Sequence, residues 1–167
     1  SLDACSSLTF SNMTLRNCSG SGIYFQLGCH DLIFKGLNFT NVEWGIESLR
    51  YNYNIYVRDC FFQNGLRGNR GVHCMLEGNT NAFSTPGDYI IEDCAFIGIR
   101  DAVFSDRSPN VTVRSNTFLN CKNSAIGFNS ASGESESWAP CHVYENIIQG
   151  GSVGIFVQAY NDETLPP

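Results

Sequence analysis

A short apolar pattern recurs six times along this chain. Each copy consists of an apolar residue, any residue and a second apolar residue, and the copies start at Leu8, Leu32, Ile55, Tyr89, Val111 and Cys141. Successive starts are 22 to 34 residues apart. A spacing in this range is typical of proteins built from stacked structural repeats. The sequence therefore predicts a solenoid, in which each repeat contacts only its neighbours.

Aligning the copies by their starts produces two further columns of similar residues. Seven places after each start stands an aromatic or aliphatic residue: Leu15, Phe39, Phe62, Phe96, Phe118 or Ile148. Later in each repeat a small residue precedes a β-branched one, at 22–23, 45–46, 71–72, 102–103, 125–126 and 154–155. Short runs of period two that are rich in Phe, Ile, Val and Thr favour strands over helices. Each repeat is thus predicted to be three short strands that bury their apolar side against the next repeat.

Asparagine stands nine places after four of the starts, at Asn17, Asn41, Asn64 and Asn120. Asparagine tolerates the left-handed backbone of a sharp bend, and its amide can hydrogen-bond the amide of the next repeat. In this Asn ladder and its three-strand coil, the chain resembles the right-handed parallel β-helix, or pectin-lyase-like, superfamily. The resemblance implies an all-β, right-handed parallel β-helix solenoid of about six coils.

Composition and charge narrow the classes of partner. The chain has 167 residues, 43% of them apolar, which fits a single β-helix domain over residues 1–167, either complete or a fragment of a larger protein. A net charge of −6 disfavours a nucleic-acid partner, and the lack of an apolar run of membrane-spanning length disfavours a membrane partner. We expect a flanking domain or a homo-oligomer to cap the ends, because open sheet edges promote aggregation.

Two pairs of cysteines are expected to be neighbours in space. Cys5 and Cys29 each stand three places before a start, and Cys60 and Cys94 share one column of consecutive repeats. Adjacent coils bring Cα atoms to about 5 Å, which would permit disulfides. Free, buried thiols are the alternative, and the spacings typical of zinc ligands do not occur.

The outward positions of the first strands carry most of the chemistry. By alternation, one outer column contains the residues Ser11, Lys35, Arg58, Glu92, Arg114 and Tyr144, with Tyr56 beside it, and Asp59 and Asp93 follow at the corner. Superfamily members that cleave acidic polysaccharides often work from this face. The resemblance implies that Arg58 or Arg114 is the catalytic base, that Lys35, Tyr56 and Tyr144 bind substrate, and that Asp59, Glu92 and Asp93 bind calcium.

Two polar insertions follow third strands, at residues 77–87 and 129–140. Insertions at equivalent points of a solenoid lie on one side of it, which often carries the binding cleft. Trp138 is a candidate for stacking on a sugar, and His73 is a candidate acid or base near the first insertion. Glu47 and Asp106 share the exterior of the third strands with His73, and a separation of about 10 Å would place them at the edge of the range for inverting glycosidases.

Three functions compete at this point. The first is a carbohydrate-active domain that acts on an extracellular acidic polysaccharide as a lyase, epimerase or hydrolase, located outside the cell or at its surface. The second is a non-catalytic carbohydrate-binding, adhesin or tailspike-type segment, and the third is a structural spacer. Whether the chain is an enzyme stays open, because alternating charges are also what a solvated sheet face carries, and the polygalacturonase and pectate-lyase motifs are absent.

Overall fold

The computed structural model describes residues 1–49, 52–64, 70–75, 88–106, 110–130 and 141–159. Every regular element within these ranges is a β-strand, and they contain no helix that could cross a membrane. In chain order the strands are β1 (Leu2–Asp3), β2 (Ser6–Ser11), β3 (Thr14–Arg16), β4 (Ser21–Gln26), β5 (His30–Lys35), β6 (Asn38–Thr40), β7 (Trp44–Leu49), β8 (Tyr53–Arg58), β9 (Phe61–Gln63), β10 (Arg70–Met75), β11 (Tyr89–Glu92), β12 (Ala95–Ile97), β13 (Asp101–Asp106), β14 (Val111–Arg114), β15 (Thr117–Ser130), β16 (His142–Tyr144) and β17 (Ile147–Ala159).

The first strands of the repeats form one parallel sheet of six strands in the order β2-β5-β8-β11-β14-β16. Its register places Leu32 opposite both Leu8 and Ile55, and Tyr89 opposite both Ile55 and Val111. The starts identified in the sequence therefore stack directly on one another, and the predicted parallel β-helix is confirmed.

The second and third strands belong to a larger parallel sheet that wraps around the rod. Second strands pair in the order β3-β6-β9-β12-β15, and third strands pair in the order β1-β4-β7-β10-β13-β15, with β17 paired to β15. In the last two coils the second and third strands run on as single strands, β15 and β17, whose mutual register shifts between Cys121 and Ser124. The prediction of three separate strands thus holds for the earlier coils, whereas in these two the pairing continues around the corner.

Stacked phenylalanines form the centre of the core. The rings of Phe39, Phe62, Phe96 and Phe118 follow one another with centroids 4.7, 4.7 and 5.0 Å apart, and their side chains are 0 to 1% exposed. This spacing matches the distance between neighbouring strands, so each coil contributes one ring to a continuous column. Because no coil can bury its ring alone, the column ties the stability of each coil to that of its neighbours.

Both corners of the coil require left-handed backbone. After the first strand, φ is +53° to +57° at Asn12, Asp59, Asp93, Ser115 and Glu145. After the second strand it is +50° to +57° at the four asparagines of the predicted ladder: Asn17, Asn41, Asn64 and Asn120. Within that ladder, the Asn41 side-chain amide donates to Asn17 Oδ1 at 3.4 Å on the surface.

Two other columns, which the sequence did not reveal, contain amides that hydrogen-bond the backbone of the preceding coil. Asn116 is 1% exposed, its Oδ1 accepts from the Cys94 N–H at 2.9 Å, and its Nδ2 donates to the Ile91 carbonyl at 2.9 Å. Asn146 repeats the contact one coil later, because its Oδ1 accepts from the Asn116 N–H at 3.0 Å. Asn52 does the same before the first strand and accepts from the Cys29 N–H at 2.8 Å.

The two predicted cysteine pairs continue these columns in the preceding coils. The Sγ atoms of Cys5 and Cys29 are 3.1 Å apart, and the backbone N–H of Cys5 donates to Cys29 Sγ at 3.3 Å. The N–H of Cys60 donates to Cys94 Sγ at 3.4 Å. The predicted proximity is therefore confirmed, and all four residues are free thiols in this structure.

The last coil exposes much of its apolar surface. Ile155 is 49% and Val157 is 65% exposed, whereas their counterparts in the preceding coil, Ile126 and Phe128, are buried; Ile147 is 61% exposed. At the other end, Leu8 is 36% and Met13 is 46% exposed. That a domain or a second copy caps these ends stays a prediction.

Candidate functional site

We call the outer side of the first strands the first-strand face. The register aligns Lys35, Arg58, Glu92, Arg114 and Tyr144 in one column, so the predicted residues do come together. Tyr56 lies in the adjacent column, between Ile33 and Ile90, and is 38% exposed.

Arg114 is held in place by its neighbours in this column. Its Nε and Nη2 both donate to Glu92 Oε2, at 2.8 and 2.5 Å, and its Nη1 donates to the Tyr144 hydroxyl at 3.2 Å. These hydrogen bonds, to Tyr144 first and then to Glu92, raise the pKa of Arg114 above its ordinary value. A catalytic base must release its proton to accept one from the substrate, so this pairing does not favour Arg114 as the base.

Arg58 and Lys35 are the less engaged cations of the column. Arg58 Nε is buried and has no hydrogen-bond partner among the described residues. Lys35 Nζ lies 4.0 Å from Asp59 Oδ2, and both side chains are about half exposed, so this ion pair is weak. The two cations therefore lie side by side with part of their hydrogen-bonding capacity unused.

The three proposed calcium ligands do not fit a calcium site as they stand. Asp59 and Asp93 occupy the corner where φ is +54° and +53°, a conformation that Asp tolerates better than most residues. Glu92 is already bound by Arg114. Across the described ranges, no three His, Cys, Asp or Glu side chains are grouped so that they could hold a metal ion. We therefore assign no catalytic role to calcium, and calcium binding stays a prediction.

The other predicted residues belong to the third strands or their insertions. Trp138 lies outside the described residues. The backbone register places His73 opposite Glu47 and Phe104, and places Asp106 opposite Met75 and Asn129. Asp106 is therefore two register positions away from Glu47 and His73, and the separation of Glu47 and Asp106 becomes about 12 Å rather than about 10 Å.

The third strands contain a bend that the sequence did not reveal. A Cβ on Gly45 would lie 2.6 Å from Phe62 Cε1, so this position faces the core, and the next residue, Ile46, is also buried. Because two successive residues face inward, Trp44 and Glu47 both face outward, on opposite sides of the bend.

Contacts across the bend show that its outer side is concave. The Ser21 hydroxyl, before the bend, donates to Glu47 Oε2, after it. The Arg70 guanidinium carbon lies 4.3 Å from the centroid of the Phe104 ring and 5.9 Å from that of the Trp44 ring. We call this surface the third-strand groove, and it consists of Ser21, Trp44, Arg70, Tyr24, Glu47 and Phe104.

Glu47 is the most unusual residue of the third-strand groove. Its side chain faces outward, yet the residue is only 6% exposed. Burial raises the pKa of its carboxyl, while the Ser21 hydrogen bond and the charge of Arg70 act in the opposite direction and Glu43 raises it further. This carboxyl lies on the outer side of the solenoid and is desolvated although it does not pack into the hydrophobic core. Desolvated carboxyls of this kind are a feature of binding and catalytic sites.

Sequence reasoning included Glu47 but missed Trp44 and Arg70. The signal was the small residue of each third strand, since Trp44 and Arg70 directly precede Gly45 and Gly71. Strict alternation would place them inside, and only the bend places them outside.

The chain belongs to the right-handed beta helix family, whose model matches residues 1–165 as a right handed beta helix region. This match also confirms the right-handed coil that the resemblance implied. No curated protein and no solved structure gives a significant match. The family therefore establishes the scaffold, and the function must be argued from the surface.

Proposed function

We propose that this β-helix domain binds carbohydrate and that an extracellular acidic polysaccharide lies along the third-strand groove. The observation that carries the proposal is the burial of Glu47 on the outside of the solenoid, beside Trp44 and Arg70. An indole ring offers a flat apolar platform for a sugar ring, and carboxylate and guanidinium groups offer hydrogen bonds to its hydroxyls. Arg70 would add a charge contact to a uronate carboxylate.

Binding is better supported than cleavage in this groove. Hydrolysis of a glycosidic bond ordinarily needs two carboxyl groups within about 9.5 Å of each other. Asp101 lies two coils from Glu47, which is about 10 Å along the axis alone. Its Oδ1 accepts from Asn123 Nδ2 and from the Ser124 hydroxyl, both at 2.7 Å, so Asp101 is already bound by two side chains of the next coil.

The experiment measures binding of polygalacturonate, alginate and a neutral glucan by isothermal titration calorimetry. We expect Trp44→Ala to weaken binding by about tenfold or more, because aromatic anchors dominate such contacts. The matched control is Tyr56→Ala, which removes an exposed aromatic from the first-strand face and should leave binding unchanged. Equal losses in both variants, or a loss in Tyr56→Ala alone, would move the site to the first-strand face.

The charge of the ligand is tested by Arg70→Met, which keeps an apolar stem and removes the guanidinium. If the polysaccharide is acidic, wild-type binding weakens with added salt, and this salt dependence becomes smaller in Arg70→Met. If a neutral glucan binds equally well to wild type and to Arg70→Met, the claim that the ligand is acidic is wrong, while the claim that the groove binds carbohydrate stands.

A second candidate is a polysaccharide lyase on the first-strand face, because Arg58 Nε, beside Lys35, is buried and has no hydrogen-bond partner in the part of the chain that the structure describes. Polygalacturonate would be incubated with the protein with and without calcium while ultraviolet absorbance reports unsaturated uronate ends. Absorbance that rises with wild type and disappears in Arg58→Ala, but persists in Trp44→Ala, would favour this candidate over the first. Both proposals imply an extracellular or cell-surface location, since that is where such glycans occur.

A further inference from the structure

The two cysteine pairs differ in their access to solvent. Cys29 is fully buried, but Cys5, in the first coil, is partly exposed. Cys60 and Cys94 are both 2% exposed and lie in inner coils. Thiol–disulfide exchange needs access of the oxidant to at least one sulfur, so only the first pair can react without unfolding of the inner coils.

We propose that Cys5 and Cys29 form a disulfide that joins the first coil to the second in an oxidising thiol–disulfide environment, while Cys60 and Cys94 stay reduced in the folded protein. The register of β2 and β5 pairs Ser6 with His30, so the preceding residues Cys5 and Cys29 are also opposite each other. Neighbouring strands are about 4.8 Å apart, which lies within the Cα separation of disulfides. The Sγ atoms are already in contact at 3.1 Å.

The reaction is balanced by a small disulfide such as oxidised glutathione. The Cys5 thiolate attacks one glutathione sulfur, and the other glutathione leaves as a thiolate. Cys29 then loses its proton, attacks the Cys5 sulfur and releases the second glutathione thiolate. Both electrons end on the two glutathione molecules, which take up the two protons, and one S–S bond is broken while one is formed.

The disulfide would join the first coil covalently to the second, through Cys5 and Cys29. It would close a loop between residues 24 positions apart, and Cys29 is itself tied to the third coil by the hydrogen bond of its N–H to Asn52. A loop of this size would raise the melting temperature by about 5 °C or more.

The rate of closure should increase with pH. Burial, then the hydrogen bond and charge of Cys29, raise the pKa of the Cys5 thiol to about 11, and Asp3 raises it further. Because the thiolate is the nucleophile, its fraction grows about tenfold per pH unit below that value. Closure is therefore expected to be slow at pH 7 and markedly faster at pH 9.

The test treats reduced, folded protein with oxidised glutathione, then quenches exchange with acid, blocks free thiols in denaturant and digests with trypsin without reduction. Cleavage after Arg16 and Lys35 would leave Cys5 in peptide 1–16 and Cys29 in peptide 17–35. We expect these two peptides to be linked, with the link retained in Cys18→Ser and lost in Cys5→Ser. Mass spectrometry should still find Cys60 and Cys94 blocked as thiols.

Two results would overturn the proposal. One is that Cys5 stays a free thiol or a glutathione adduct at every pH. The other is that Cys60 and Cys94 become linked as fast as Cys5 and Cys29, since exposure would then not decide which pair reacts. Cys5→Ser alters a partly exposed side chain, and its unchanged circular dichroism spectrum would show that loss of the link is not loss of the fold.

Discussion

The first-strand face and the third-strand groove present opposite arrangements of charge. On the first-strand face, Arg114, Glu92 and Tyr144 satisfy one another at the surface of a regular sheet. In the groove, Glu47 is buried and feels the charge of Arg70, which in turn lies over the rings of Trp44 and Phe104. The first-strand face has more charged residues, but the groove contains Glu47, whose carboxyl is desolvated at a cost in free energy. The number of charges in a column is therefore a poorer guide to a site than the burial of one of them.

The difference arises from the shape of the backbone. A straight strand alternates its side chains, so its outer residues stand apart in solvent. At the third-strand bend, two residues in succession face the core, and the outer residues on either side converge. Four predictions test whether this bend is the source of the contrast.

The largest effect is expected from filling the bend. A Cβ at Gly71 would lie 2.5 Å from the Ala102 carbonyl oxygen and 2.7 Å from Phe96 Cδ1. Gly71→Ala must therefore displace a strand or a ring of the core, and we expect a loss of about 3 kcal/mol in the free energy of unfolding, measured by urea denaturation. Gly20→Ala is the matched control, because a Cβ there meets nothing within 4 Å. If both variants unfold alike, the bend is not tightly packed.

The next effect concerns the buried amides that support the two faces. Asn116→Ala leaves the buried Cys94 N–H without its acceptor, and Asn52→Ala does the same to Cys29. We expect each change to cost about 2 kcal/mol, whereas Asn41→Gly, at the exposed corner where φ is +53°, should cost well under 1 kcal/mol because glycine tolerates left-handed backbone. Similar losses at Asn52 and Asn116 would show that the faces differ at their surfaces and not in their support.

The pH dependence of stability should have opposite signs in the two regions. The pKa of Glu47 is raised above its ordinary 4.5, so its contribution is fully present below that pH and is lost as the pH rises through the raised value. The free energy of unfolding of wild type relative to Glu47→Gln should therefore fall over this interval.

Asp31, in the first-strand sheet, is the matched comparison. Hydrogen bonds from Asn54, then His30, lower its pKa below 3.8, so its contribution is present above that value and lost as the pH falls through the lowered one. The free energy of unfolding of wild type relative to Asp31→Asn should thus decrease in acid. If the free energy of unfolding of wild type relative to Glu47→Gln also falls as the pH is lowered, the burial of Glu47 would be contradicted.

The smallest effect is expected from the ion pair of the first-strand face. The Arg114 and Glu92 side chains are 41% and 18% exposed, so solvent screens their attraction. A double-mutant cycle with Arg114→Met and Glu92→Gln should give a coupling of about 0.5 kcal/mol that declines as salt is added. A coupling of several kcal/mol would mean that this face is as desolvated as the groove.

Much of the fold was predictable because the repeat acts locally. Leu32, Phe39 and Ile46 each align with their counterparts in the neighbouring coils as the columns predicted. The paired cysteines were found in the same way. The amides that bind the preceding coil were missed, because Asn52, Asn116 and Asn146 share no column with the four asparagines that recur most regularly.

The site was less predictable, since a residue's chemistry depends on which neighbours remove its water. The sequence correctly predicted that Arg58 and Arg114 share one column. It could not show that Arg114 binds Glu92, or that Arg58 Nε has no hydrogen-bond partner among the described residues. Nor could it show that Arg70 meets Phe104, and Ser21 meets Glu47, across a bend.

The sequence by itself determined the parallel strands, the stacking register and the order of the coils, because period-two patterns and left-handed corners depend on adjacent residues. Only the tertiary structure decided which outer surface is concave and which carboxyl is buried. Those properties arise where the Gly45 and Gly71 backbones press against the phenylalanine column, a contact between parts of the chain that no local pattern records.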